Sequence, residues 1–433
     1  MTLEILVLAL SLTLLIWLTM RGANLIVAAP FCALILAFLS GIDIATVEEH
    51  GFTFIYMKGF TSFFASWFLV FLLGSIFGKL MEDCGAAEKI SHYIMSHVGP
   101  SQAPFAVVLA CAVLTYGGVS AFVVAFTSYP IALSLFREAN LPRRFIPGCL
   151  AFGSVTFTMT TAGSPEIQNW IPIKYLQTSP WAGWEVSLPI ALFMAIAGYF
   201  WLNKMVATAV ENGETFIDRD NDPHPDERDL PGLLPALLPL ISIVLISFLA
   251  HEELHQNALV LALLVGCILT YLLNIKHFHT LENDLHEGAY SALIATGNTC
   301  AVVGFGALAK VTPGFDIAMD FVLSLPGSGL VSAAVAIVII AGITGSASGG
   351  QSIALPELAP HYLNAGVDAS ELHRVVSISS GALDSLPHNG YVVTTVRAIC
   401  GESHATAYGP IFALTLILPL IGTVLAVTLF TIF

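Results

Sequence analysis

Charge is what this chain has least of. Of its 433 residues only 10% are Asp, Glu, Lys or Arg, whereas 56% are hydrophobic, and the mean hydropathy is +0.82. A soluble domain carries about 25% charged residues, so this chain lacks the charge to coat a globule of its size. Repeated apolar runs near or above ~18 residues with few charges read as membrane spans. The expected fold class is therefore an all-α polytopic membrane protein. Positive charge is the scarcer sign, 15 Lys and Arg against 30 Asp and Glu, and no basic patch suits nucleic acid as a partner. Ligand spacing is missing as well. Cys32, Cys84, Cys111, Cys149, Cys267, Cys300 and Cys400 are scattered through apolar runs without a CxxC pair, so they read as packing residues, and neither a metal nor a cofactor is expected. The first 25 residues lack the basic start of a signal peptide and are read as a first span with the N-terminus outside.

Where charge does occur it is concentrated. Glu211–Leu230, "ENGETFIDRDNDPHPDERDL", holds eight acidic residues against two arginines. Such a Pro- and Asp-rich stretch cannot bury enough apolar area to fold alone, so residues 206–230 are read as an acidic cytoplasmic linker. Apolar runs before it, at about 2–20, 23–40, 62–81, 103–136, 144–160 and 185–205, match runs after it one for one. Those fall at about 233–250, 257–274, 289–309, 329–363, 373–395 and 407–431, an offset of about 220–230 residues that marks an internal duplication. Local echoes agree: "LLGSIFGKLMEDCG" (Leu72–Gly85) with "VVGFGALAKVTPGF" (Val302–Phe315), and "AGSPEIQN" (Ala162–Asn169) with "LDSLPHNG" (Leu383–Gly390). The expected domains are an N-terminal repeat, 1–205, with scaffold helices in 1–60, and a C-terminal repeat, 231–433.

Within the fourth run of the second half, the twelve-residue, largely apolar stretch Val331–Gly342 climbs only about 18 Å of a ~30 Å hydrocarbon core. The polar stretch "TGSASGGQS" follows, and a second apolar arm runs from Ile353 to about Leu363. Two half-length arms and a polar tip predict a re-entrant hairpin over 329–363. Its partner over 103–136 has arms Ala103–Leu114 and Ala121–Phe136 and the tip "TYGGVS" (Thr115–Ser120). The first hairpin is flanked by Lys79 and Lys89 on one side and by Arg137, Arg143 and Arg144 on the other. If basic loops stay cytoplasmic, both ends lie on one side. Each half then holds about five transmembrane helices plus one hairpin. An odd count inserts the halves in opposite orientations, as an inverted repeat. Arg21, Lys204, Arg219, Arg228, Lys276 and Arg397 then fall inside, and Lys58, Lys174, Lys310 and Arg374 outside.

Non-helical backbone survives in a bilayer only when buried in protein or lining a wet cavity. Four such breaks are predicted: the two tips and two interrupted spans, 144–172 at "TTAGSPEIQN" (Thr160–Asn169) and 373–395 at "DSLPHNG" (Asp384–Gly390). Pro165 and Pro387 remove a donor and disfavour helix in the residue before. Each break exposes helix termini whose free N–H groups suit a carboxylate. No arginine or lysine lies clearly inside a span, so an anionic substrate would be held by tip amides and by Ser, Thr and Asn side chains. The candidates are Thr115, Gly117, Gly118 and Ser120 at the first tip and Thr344, Ser346, Ser348, Gly349, Gly350, Gln351 and Ser352 at the second. Thr161, Gly163, Ser164, Ser385, His388 and Asn389 join them at the breaks. A small residue taken singly is equally a helix-packing residue. Ionisable groups at membrane depth are functional suspects, so Glu166, Asp384 and His388 are the candidates for proton coupling. Glu166 also reads as a helix cap at the aqueous end of its span, and Glu357 is a weaker candidate. Asn169 and Asn389, with unwound carbonyls, would serve a sodium ion instead.

Two halves, two hairpins and two broken helices resemble the ion-transporter superfamily of elevator-type anion carriers. Within it, "GITGSASGGQSIALPELAP" and "LDSLPHNGYVVTT" are similar to the gluconate permease family, especially its hydroxybutyrate branch. The resemblance implies proton-coupled uptake of a small hydroxylated monocarboxylate across a bacterial inner membrane, by a homodimer with a fixed scaffold and moving transport domains. Its first break reads "GSPEIQN" where sugar-acid members carry a proline- and histidine-rich motif, which favours a short acid such as 3-hydroxybutyrate over gluconate. Two other classes compete. Paired tips can line a channel, which would conduct without counterflow. Ser385 with His388 hints at an intramembrane hydrolase, whose activity would be lost in Ser385→Ala.

Overall fold

A computed structural model describes residues 2–21, 23–46, 48–99, 102–219, 222, 229–255, 257–278, 281–323, 328–387 and 389–432. His388 and linker residues 220–221 and 223–228 lie outside them. The described residues are helical, with no strand among them. In chain order the helices are α1 (Thr2–Met20), α2 (Leu25–Leu39), α3 (Phe52–Asp83), α4 (Ala86–Val98), α5 (Ala103–Tyr116), α6 (Ala121–Glu138), α7 (Ile146–Val155), α8 (Ile171–Leu176) and α9 (Trp184–Glu211). Beyond the linker come α10 (Leu233–Leu254), α11 (Asn257–Asn274), α12 (Leu281–Lys310), α13 (Pro313–Leu323), α14 (Gly329–Thr344), α15 (Ala347–Asn364), α16 (Ala369–Ser380), α17 (Gly390–Val393), α18 (His404–Ile411) and α19 (Leu418–Ile432). A π-helical stretch, Phe412–Ile417, joins α18 to α19.

Six of these stretches are long and apolar enough to cross a bilayer: Phe52–Asp83, Trp184–Glu211, Leu233–Leu254, Asn257–His277, Leu281–Lys310 and His404–Ile432. The chain is a multi-pass integral membrane protein. Its exposed large side chains are those lipid would cover, among them Val27 at 67%, Phe38 at 71% and Leu249 at 68%.

Two bodies of packing are evident. Helices α1, α2, α3 and α12 enclose one core around Leu12, Leu36, Phe305 and Leu308. The long antiparallel pair α3 and α12 approaches closely because glycines face the partner: a Cβ at Gly59 would meet Ala307, and one at Gly304 would sit 2.9 Å from the Tyr56 ring. Small residues at such crossings let membrane helices touch backbone to backbone. The second, larger core runs from α3 through α5, α6, α7 and α9 to α14, α15, α16 and α19. All seven cysteines are free and buried within these cores, as packing residues would be.

Helices α5 and α14 hold only 14 and 16 residues, about 21 and 24 Å of rise. Each turns sharply into its successor. Gly118 (φ +92°) makes the α5–α6 turn and Gly345 (φ +58°) caps α14, in left-handed conformations that favour glycine. Helix α15 begins at Ala347, so Ser348, Gly349, Gly350, Gln351 and Ser352 are helical, not part of an unwound tip. The Ser346 side chain accepts from the Gly349 amide at 3.1 Å, and this cap together with close packing on α14 overrides the poor helix propensity of Gly and Ser.

Candidate functional site

Both breaks are present as irregular backbone. Residues 156–166 separate α7 from a short 3₁₀ turn, Ile167–Asn169, and the described residues 381–387 and 389 lie between α16 and α17. They meet the two turns at one cavity of about 320 Å3. Its wall includes Gly118 and Ser120 from the α5–α6 turn, Thr344, Ser346 and Ser348 from the α14–α15 turn, Pro165 and Glu166 from the first break, and Asp384 and Asn389 from the second. Four segments remote in sequence thus converge.

Three helix N-termini open on this cavity. Ser120 with Ala121 and Phe122 begins α6, Ser346 with Ala347 and Ser348 begins α15, and Asn389 with Gly390 and Tyr391 begins α17. The first amides of a helix have no intrahelical acceptor, and the dipole places positive charge there. No Lys or Arg is among the described residues of the wall, and the only acidic ones are Glu166 and Asp384. Among the described residues nothing hydrogen-bonds the Glu166 carboxylate. Asp384 accepts from the Ser385 hydroxyl at 2.9 Å.

Several candidates hold the wall in place from behind. Asn389 donates to Gly345 O and Asp384 O, both at 3.0 Å, and accepts from the Val392 amide, tying the α14–α15 turn to the second break. Asn169 donates to Ser164 O and Pro180 O at 3.1 and 2.9 Å. Gln351 donates to Gln168 O and Ser380 Oγ at 3.0 and 2.9 Å, so its amide faces the first break and α16. A Cβ at Gly117 would run into Leu240, one at Gly163 into Trp181, and one at Gly350 to 2.7 Å from the Ala341 Cα. Gly349 packs on Ser346. Ser352 donates to Ser348 O, and Thr161 to Phe157 O. Thr115, Ser164 and Ser385 are buried. None of these side chains except Asn389 belongs to the cavity wall, and Glu357 lies elsewhere, paired with Lys310.

One expectation from the sequence is corrected. Arg374 is not at an outer rim; it is 0% exposed. Its guanidinium donates to Ala182 O (2.8 Å), Thr160 O (2.8 Å), Asn169 Oδ1 (2.9 Å) and Pro180 O (3.1 Å). Charge counting placed it at an edge because a lone cation in a span is costly. Four carbonyl-type acceptors gathered by the first break offset that cost, and no local sequence signal announces them. Also missed were Asn298 and Thr299 on α12 and Ser75 on α3, which complete the wall. The polar pair "NT" inside the apolar run of α12 was the available signal.

Known proteins agree with this architecture. The solved YdaH transporter of Alcanivorax borkumensis superposes with a TM-score of 0.56, covering 99% of this chain and 98% of that one. Its identity is 14%, so the likeness is one of fold alone. An uncharacterized transporter of Bacillus subtilis (strain 168), YxjC, is 37% identical over 458 residues, 96% of each protein. An uncharacterized transporter of Haemophilus influenzae is 25% identical over 74% of each. The model of the GntP permease family matches residues 1–343, ending just before Thr344. With that match over most of the chain and a full-length transporter relative, the chain belongs to the GntP family of permeases.

Proposed function

We propose that this permease is a proton-coupled symporter of a small hydroxylated monocarboxylate, 3-hydroxybutyrate-like, acting in a bacterial inner membrane. The observation that carries the reading is the cavity in which three helix N-termini and two carboxyl groups meet with no Lys or Arg among the described residues of its wall. The N-termini supply N–H donors for a carboxylate. Ser120, Ser346, Ser348, Asn298 and Thr299 supply partners for a hydroxyl. A substrate anion beside two ionised carboxyls in a low-dielectric cavity would be repelled. A proton carried on Glu166 or Asp384 neutralises one of the two and lowers that repulsion, so substrate and proton travel together. The cavity's volume lies at the lower end of ligand pockets, which supports a short acid over a sugar acid.

In the same proposal α5–α6 and α14–α15 are re-entrant hairpins of two inverted repeats. They move, with the broken helices and the cavity, as a transport domain past a scaffold built on α3 and α12, in a homodimer. The short helices and the separate α1–α2–α3–α12 core support this division.

Uptake of labelled 3-hydroxybutyrate into proteoliposomes tests the reading. A pH gradient, acid outside, should drive accumulation without sodium, and unlabelled substrate inside should produce counterflow. At least one of Glu166→Gln and Asp384→Asn should abolish gradient-driven accumulation while leaving counterflow measurable. Dependence on sodium, competition by gluconate above every short acid, or conductance without counterflow would each overturn a named part.

A further inference from the structure

A second built site lies away from the cavity, where the exposed face of α9 runs out of its apolar stripe. Leu188, Leu192, Ile196 and Phe200 recur every four residues, and Leu192, Ile196 and Phe200 are 61%, 49% and 65% exposed. The next residue on that face is Lys204, also exposed. No carboxylate among the described residues pairs with it. Around Lys204 opens a groove of about 730 Å3 whose wall includes Trp201, Arg144, Thr208 and Asn212. Arg144 is held there by Glu214, Nε to Oε2 at 2.6 Å and Nη2 to Oε1 at 2.8 Å. Two cations against one carboxylate leave the groove with an excess positive charge, in a chain whose net charge is −15.

The dimensions suit one kind of ligand. From Leu192 to Lys204 the helix rises about 18 Å, close to one leaflet, half of a ~30 Å hydrocarbon core. Trp201, one turn or less below the cation, is the residue type that settles at headgroup level. An apolar track one leaflet long, a belt residue and then a cationic groove with hydroxyl and amide donors match an acyl chain, a glycerol backbone and a phosphate in that order. We propose that this groove binds an anionic glycerophospholipid, with its phosphate on Lys204 and Arg144 and an acyl chain along Phe200, Ile196 and Leu192.

Native mass spectrometry of the detergent-purified full chain, titrated with phosphatidylglycerol or phosphatidylcholine, tests this. Thermal melting with the same lipids and with inorganic phosphate runs alongside. Phosphatidylglycerol should be retained and should raise Tm, whereas phosphatidylcholine and phosphate should do neither. Lys204→Gln, at an exposed position that does not threaten folding, should weaken phosphatidylglycerol binding about fivefold, the equivalent of the ~1 kcal/mol one cation contributes at an anionic surface. Lys204→Arg should preserve it. Equal retention of the two lipids, or unchanged binding in Lys204→Gln, overturns the proposal. So does stabilisation by phosphate alone, which would mark a free-anion site. A shift in oligomeric state in Lys204→Gln with no change in lipid binding would instead mark the face as a contact between copies.

Discussion

Arg374 shows how one side chain holds a broken segment in shape. Backbone carbonyls of an unwound stretch have lost their helical donors, and buried acceptors left without partners each cost about 1–3 kcal/mol. The Arg374 guanidinium supplies donors to Thr160, Pro180 and Ala182 and to the Asn169 side chain in a single planar fork, which lysine's point charge cannot copy. Arg374→Met, similar in length, should therefore lower stability by roughly 3 kcal/mol or more, read as a lower Tm in detergent. Arg374→Lys should recover only part of the loss. A methionine variant melting with the native protein would refute the role. The sequence, read for charge alone, could not supply this, because the acceptors come from residues some two hundred positions away.

Between elements, the crossing of α14 and α15 leaves no room for a side chain at Gly350. A Cβ at Gly350 would lie 2.7 Å from the Ala341 Cα, so Gly350→Val should splay the two helices, at an overpacking cost of about 1–3 kcal/mol. Uptake should fall severely while membrane insertion persists; normal uptake in that variant would show the crossing to be irrelevant to transport. Apolar arms read from the sequence correspond to α5, α6, α14 and α15, because helix-length apolar runs survive any tertiary context. The start of α15 was misplaced, since Ser348–Ser352 look like loop until Ser346 caps the Gly349 amide and α14 packs against the glycines. Glu166, Asp384 and the two turns were legible as candidates from helix-breaking residues at membrane depth. The contributions of α3 and α12 to the cavity were not, because a small polar residue in a long span reads first as packing.

Across the whole molecule, the start of the linker straps together loops of both halves. Arg143 donates to Asp222 at 2.7 Å and lies 3.2 Å from Glu402, while Arg219 pairs with Glu402 at 2.7 Å. Burial acts to raise the Asp222 carboxyl, but hydrogen bonds from Arg143 and the Arg219 amide hold it below the ordinary value of 3.8. A depressed carboxyl contributes stability that is complete above its unfolded value and is lost as pH falls through the folded one. The strap should thus stay docked at neutral pH and loosen only below about pH 4. Asp222→Asn removes its charge at every pH, and tryptic cleavage after Arg219 should then run about tenfold faster at pH 7, as expected for ~1–2 kcal/mol of lost charge-assisted bonding; an unchanged rate would show that the strap is not held by that pair. The buried cysteines carry a different consequence. With every native thiol enclosed in the cores, the natural chain already offers a silent background for maleimide labelling. A single cysteine placed at Ser346 would then report, by its rate of alkylation from either side of the membrane, when and to which compartment the cavity opens.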